Sequence, residues 1–165
     1  MAGLRIGLIG LGMAVGPHAK GLNDLKREGV VEVAACFSPS ARRRAAFEGA
    51  YGLPVVEDVR RILDDRSIRA VGILTPPNTH LELVTAAVEA GKHILLEKPL
   101  DISMERAEAL VGVAERAGVT LGVVLQHRFR PSGERAAEII RSGALGRIVN
   151  CSTSIRLWRP QSYYD

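Results

Sequence analysis

The 165-residue sequence is poor in aromatic residues, 4% in all, with a single Trp. That scarcity argues against a stacking platform for single-stranded nucleic acid. Lysine is also rare, four residues against eighteen arginines, and the formal charge of +4 is local: residues 1–125 balance fifteen basic against fifteen acidic side chains, whereas residues 126–165 carry seven against three. Arg128, Arg130, Arg135, Arg141 and Arg147 partly share a helical face and could bind phosphate, but no recognition motif accompanies them, so no nucleic-acid partner is expected. Only two cysteines occur, Cys36 and Cys151, each inside an apolar strand-like run with no second Cys or His at ligand spacing. They are expected to be reduced core residues, with no metal site. No apolar stretch approaches the roughly 20 residues that span a bilayer. The expectation is a cytoplasmic protein without a membrane partner.

What the sequence does contain is a regular alternation. Strand-like runs at 4–10, 30–36, 54–56, 69–75, in "HILLEKPL" (93–100) and at 119–125 alternate with helical candidates. Strands apolar on both faces and separated by helices predict a parallel sheet covered on both sides, an α/β doubly wound fold with ligands at the carboxyl ends of the strands. In "SARRRAAFEGAYG", Ala41, Ala45, Ala46 and Tyr51 can share the inner face, with Gly52 as the stop. Ser103 is placed to cap the helix after the fifth strand. Beyond residue 125, "PSGERAAEIIRSGALG" predicts one more amphipathic helix and "RIVNCSTSIRLWRP" alternates as a strand with one wetter face. These read as the first helix and strand of a second α/β domain, so the expected division is 1–125 and 126–165, the latter incomplete: either the chain is a fragment of a longer protein or the rest of that domain is supplied from elsewhere, as by a second copy. A lone strand has nowhere to pair, which predicts self-association or disorder there.

"GLIGLGMAVGPH" puts Gly10 and Gly12 directly after the first strand and before a helix. There a tight turn and a bare backbone let a pyrophosphate approach the helix N-terminus, although the same glycines could serve a turn alone. Val15 occupies the third fingerprint position and Gly16 comes one residue late. At the end of the second strand a NAD site would place an acid. Here stands Phe37, followed by Ser38, Ser40 and Arg42, Arg43 and Arg44, with no acid until Glu48. Hydroxyls and guanidinium groups suit a 2'-phosphate, hence NADP with NAD as the alternative; three arginines opening an exposed helix are equally compatible with solvated surface. "TPPNTH" ends the fourth strand, with Asn78 placed to cap the next helix and His80 in its first turn. "HILLEKPL" ends the fifth, delivering Glu97, Lys98 and Pro99. Alternation sends Glu97 and Lys98 to different sides. Thr75, Lys98 and Gln126, at successive strand ends, would line one crevice with the glycine turn, although Lys-Pro is also an ordinary way to leave a sheet.

Together "GLIGLGMAVGPH", "TPPNTH", "LLEKPL" and "LQHRFRPSGERAAEIIRSGALGRI" resemble the Gfo/Idh/MocA family of oxidoreductases along essentially the whole chain. The resemblance implies an N-terminal Rossmann domain and the start of a C-terminal substrate and oligomerisation domain. It implies hydride transfer between NAD(P) and a sugar, cyclitol or related polyol, and a homo-oligomer as the full-length protein. By the same resemblance Gly10, Gly12, Met13 and Ala14 wrap the pyrophosphate, and His18 matches a histidine of the first helix. Ser38 and Arg43, with Arg42 beside them, meet the 2'-phosphate. Thr75, Pro76, Asn78 and His80 follow the cofactor path, and Glu97 and Lys98 form the EKP pair with a cis bond before Pro99. Gln126 and Arg128 border the nicotinamide. Lys98 is the catalytic candidate, hydrogen-bonding the reacting oxygen. A further aspartate and histidine of the second domain, which the family uses, are matched by neither Asp165 nor the histidines at 18, 80, 93 and 127, so this chain by itself is expected to bind nucleotide without turnover. The alternative is a non-catalytic dinucleotide-binding module with a regulatory or sensing role. Trp158, Tyr163 and Tyr164 are candidates for the substrate's near edge, with packing of the first strand the plainer role for Trp158.

Overall fold

A computed structural model describes residues 3–161, so Tyr163, Tyr164 and Asp165 lie outside the described residues. The chain divides between Val124 and Leu125 into two compact units. The first carries six strands, β1 (Leu4–Ile9), β2 (Val31–Phe37), β3 (Val55–Val56), β4 (Ala70–Ile73), β5 (His93–Glu97) and β6 (Leu121–Val124), all parallel in the order β3-β2-β1-β4-β5-β6. The helices between them are α1 (Val15–Arg27), α2 (Ala41–Tyr51), the short α3 (Arg60–Leu63), α4 (His80–Glu89) and α5 (Met104–Ala117), with a 3₁₀ turn at Pro77–Thr79. Winding runs outward from β1 to β3, then restarts at β4 on the other side. That reversal opens a crevice above the carboxyl ends of β1 and β4.

Alternation along the strands feeds two cores. Ile9, Val71, Ile73, Ile94 and Leu96 point to one face and meet Ile62 of α3, Val84 and Ala87 of α4 and Leu110 of α5. Ile6, Leu8, Val33 and Cys36 point to the other and meet Val15 and Ala19 of α1 and Phe47 of α2. Each fully buried Ile or Leu contributes about 1.5–3 kcal/mol of transfer free energy, so these clusters hold the helices onto the sheet. On the α1–α2 side the cover does not extend evenly: Leu95, which shares that side with Leu8 and Gly72 through the strand register, stays 47% exposed.

Capping follows local chemistry at some helix ends and departs from it at others. Ser103 accepts the Arg106 N–H at 3.3 Å, and Gly52 ends α2 in the left-handed region at φ 63°. Ala41, Ala45 and Ala46 are exposed; the inner face of α2 is Phe47 with Tyr51, one turn apart, their rings 5.1 Å centroid to centroid. The larger apolar side chains bury more area per position and so decide which way α2 rolls. Asn78 does not cap α4 through its side chain; Thr79 takes the cap position but makes no capping hydrogen bond, its hydroxyl donating back toward Thr75 and Pro76 instead.

The second unit contains a 3₁₀ turn at Gln126–Phe129 and helix α6 (Pro131–Arg141). From Arg147 to Pro160 no strand forms, contrary to the alternation of that stretch, because among the described residues no neighbouring strand offers a ladder of N–H and C=O groups. Cys151 and Trp158 are accordingly exposed, not core residues.

Candidate functional site

The crevice at the winding reversal is a cleft of about 870 Å³, within the 300–1,000 Å³ or so typical of small-molecule sites. Its floor is the turn after β1. Gly10 has φ +104°, and a Cβ there would lie 2.7 Å from the Leu74 carbonyl carbon, so both conformation and the approach of β4 require glycine. Gly12 differs: a Cβ would meet nothing within 4 Å, and the space it faces belongs to the cleft. Helix α1 begins at Val15 with no side-chain cap and no acid in its first turn, leaving its N–H groups and positive dipole end for an anion. Val15 is buried in the core, and close packing falls to Gly16, where a Cβ would come within 3.1 Å of the Tyr51 hydroxyl. The diphosphate of a dinucleotide therefore fits the backbone of Gly12, Met13 and Ala14, although of these Ala14 does not line the cleft.

One wall comes from the end of β2, where Phe37, Ser38, Pro39 and Arg43 line the cleft. Ser40 accepts the Arg43 N–H at 3.3 Å and starts α2; Arg42 and Arg43 are both exposed, and of the two Arg43 lines the cleft. Arg44 braces the loop instead. Its guanidinium donates to the carbonyls of Ser38 at 2.8 Å and Pro39 at 3.3 Å and pairs with Glu57 at 3.6 Å. Ser38 is buried and accepts the Ser40 N–H at 3.4 Å. The wall carries no carboxylate at the strand end.

The opposite wall is Leu74, Thr75, Pro76, Asn78, Thr79, Glu82 and Leu83, from the end of β4 and the first turn of α4. Thr79, Glu82 and Leu83 are not among the site residues that the sequence motifs suggest; their signal is the helical spacing of three and four that sets them on one face after Asn78. His80 does not reach the cleft. Its ring is completely buried between the backbone oxygens of Thr75 and Leu100.

Beyond this wall β5 ends at Glu97, and the Lys98–Pro99 bond is cis. Glu97 Oε2 lies 2.9 Å from His18 Nε2 of α1, both side chains largely buried, so the acid is engaged across the sheet by a histidine and not by the lysine beside it. The two lysines flanking β5 contrast. Lys92 is buried, its ammonium donating to the carbonyls of Asp65 at 2.7 Å and Ile68 at 2.9 Å, and burial pulls its pKa below the ordinary lysine value. Lys98 is exposed and, among the described residues, takes part in no hydrogen bond or ion pair. Neither Glu97 nor Lys98 lines the cleft itself. Gln126 and Arg128 are exposed on the 3₁₀ turn of the second unit. Among the described residues no helix is long and apolar enough to cross a membrane.

The chain is similar to known proteins. The family model Gfo/Idh/MocA, described as "oxidoreductase family, NAD-binding Rossmann fold", matches residues 4–125. D-xylose 1-dehydrogenase (NADP(+)) 2 of Haloferax volcanii is 36% identical over 135 residues, covering 81% of this chain and 41% of that protein. Levoglucosan dehydrogenase of Pseudarthrobacter phenanthrenivorans is 32% identical over 161 residues, covering 91% and 40%. Among solved structures, the WlbA dehydrogenase of Bordetella pertussis, in complex with NADH and UDP-GlcNAcA, superposes with a TM-score of 0.79 at 25% identity, covering 88% of this chain and 44% of that one. The chain thus spans less than half the length of these relatives.

Proposed function

The chain belongs to the Gfo/Idh/MocA family of oxidoreductases, and from that footing we propose that it is the cofactor-binding part of an NAD(P)-dependent dehydrogenase or reductase acting on a sugar, cyclitol or related polyol. Relatives in this family carry names tied to both NADP and NADH. For this chain NADP is favoured, and the observation that carries the choice is the end of β2: Phe37 where an acid would hold a ribose 2'-hydroxyl, with Ser38 and Arg43 lining the cleft beside it. An acid there would repel a 2'-phosphate; a guanidinium binds it with charge-assisted hydrogen bonds.

When bound, the nicotinamide supplies a two-electron hydride donor or acceptor. The chain's own residues do the rest. Gly12, Met13 and Ala14 present backbone to the diphosphate at the start of α1. Ser38 and Arg43 hold the 2'-phosphate, and Thr75, Pro76 and Asn78 form the path along β4. Lys98, with no competing partner among the described residues, donates a hydrogen bond to the reacting oxygen and stabilises the charge that develops on it. Glu97, held by His18, takes no part in that contact. The full-length protein is proposed to assemble as a homo-oligomer and to bind no nucleic acid.

Calorimetric titration of the chain with NADPH and with NADH tests the reading. Tighter binding of NADPH is expected. Binding of neither would overturn the cofactor site, and tighter NADH would overturn the role given to Ser38 and Arg43.

A further inference from the structure

His80 opens α4, and its side chain is 0% exposed. Its ring lies between two backbone oxygens, Nδ1 at 2.9 Å from that of Leu100 and Nε2 at 3.0 Å from that of Thr75. A carbonyl oxygen only accepts, so each contact needs an N–H from the ring. A neutral imidazole has one. Its bare nitrogen would then face an acceptor with its own lone pair, in a place no water reaches to mediate, and a buried acceptor left without a donor is costly. Only the imidazolium donates to both.

The chain around the ring also holds a buried, paired carboxylate. The residue after His80, Leu81, gives its N–H to Asp101 Oδ2 at 3.2 Å, and Asp101 directly follows the Leu100 whose carbonyl the ring holds. The Asp101 side chain is wholly buried. Burial pushes its carboxyl up, but the Arg106 guanidinium at 2.7 Å and the amides of Ile102 and Leu81 outweigh this and hold it below the usual carboxylate range. Arg106 also binds Glu82 at 2.8 and 3.0 Å and the Asn78 carbonyl at 3.2 Å. Glu82 is 64% exposed, so water screens its charge, and the buried Asp101 is the carboxylate paired with Arg106.

We propose that His80 is a buried imidazolium clamp that ties the end of β4 to the chain just beyond Lys98–Pro99, and that it is a positioning residue for Thr75 in the cleft wall and for Lys98. The clamp stands on the geometry alone; its service to Thr75 and Lys98 in catalysis rests on the function proposed above. One ring thereby spans the distance between the cleft wall and the turn that presents the lysine.

The test is ring-nitrogen NMR of the ¹⁵N-labelled chain without cofactor at neutral pH. His80 is identified by His80→Gln and, should that variant fail to fold, by elimination with His18→Gln, His93→Gln and His127→Gln. Both ring nitrogens of His80 are expected to carry protons. A bare nitrogen on that ring would overturn the clamp. The NADPH titration of the same sample separates the two claims. A doubly protonated ring in a chain that binds no NADPH supports the clamp and sinks the cofactor reading, and a bare nitrogen in a chain that binds NADPH does the reverse.

Discussion

The two units treat their apolar residues differently. In the first, Ile9, Ile62, Ile73, Leu96 and Leu110 are sealed between sheet and helix. In the second, no described residue is buried, and Ile148, Ile155, Leu157 and Trp158 are all exposed, Trp158 at 81%. Alternation of apolar and polar residues occurs in both. What separates them is the supply of partners: β5 has β4 on one side and β6 on the other, whereas residues 147–160 have no strand beside them among the described residues. A strand is a property of a pair, so periodicity states a preference that only a neighbour can realise.

The largest effect is expected at Gly10. Gly10→Val would place a side chain against the Leu74 backbone in a conformation that L residues rarely adopt. Strain and overpacking together come to about 2–6 kcal/mol, enough to unfold the first unit or abolish dinucleotide binding, read by thermal denaturation and titration. Next, Leu96→Ala should cost about 2–5 kcal/mol in chemical denaturation. Ile155→Ala in the second unit should change stability by less than about 0.5 kcal/mol. Equal effects would show that residues 147–160 are packed after all. The smallest effect sharpens the contrast: burial pushes the Cys36 thiol up to about 12, so at neutral pH it is expected to resist a thiol reagent that modifies the exposed Cys151. One thiol titrated per native chain, and two after unfolding, is the expected count.

The same contrast explains what is legible in the sequence. The order of strands and helices to residue 124 can be read there because, the two-residue β3 and the short α3 aside, the apolar runs have the length of buried strands and the gaps a helical period. Gly10 and Gly12 can be read because their position between strand and helix, more than the glycines themselves, carries the meaning. Ser38, Arg43, Thr75, Pro76 and Asn78 line the cleft since all lie at or just beyond strand ends facing the winding reversal. His80, which the family resemblance assigns to the cofactor path, is buried behind it, because polarity at a helix start does not say which way a ring turns. Phe47 over the alanines of α2, and Glu82 in the cleft wall, depend on how each helix rolls about its axis, which the competing areas of several side chains decide. The Glu97–His18 contact joins residues far apart in the chain and exists only once α1 is laid on the sheet.

The proposed cofactor site is tested most directly by titrating Arg43→Ala with NADPH and with NADH. Losing a charge-assisted contact worth about 1.5–3 kcal/mol should weaken NADPH binding roughly 10- to 150-fold and leave NADH affinity unchanged. An unchanged NADPH affinity, or an equal loss for both nucleotides, would contradict the placement of the 2'-phosphate beside Ser38 and Arg43.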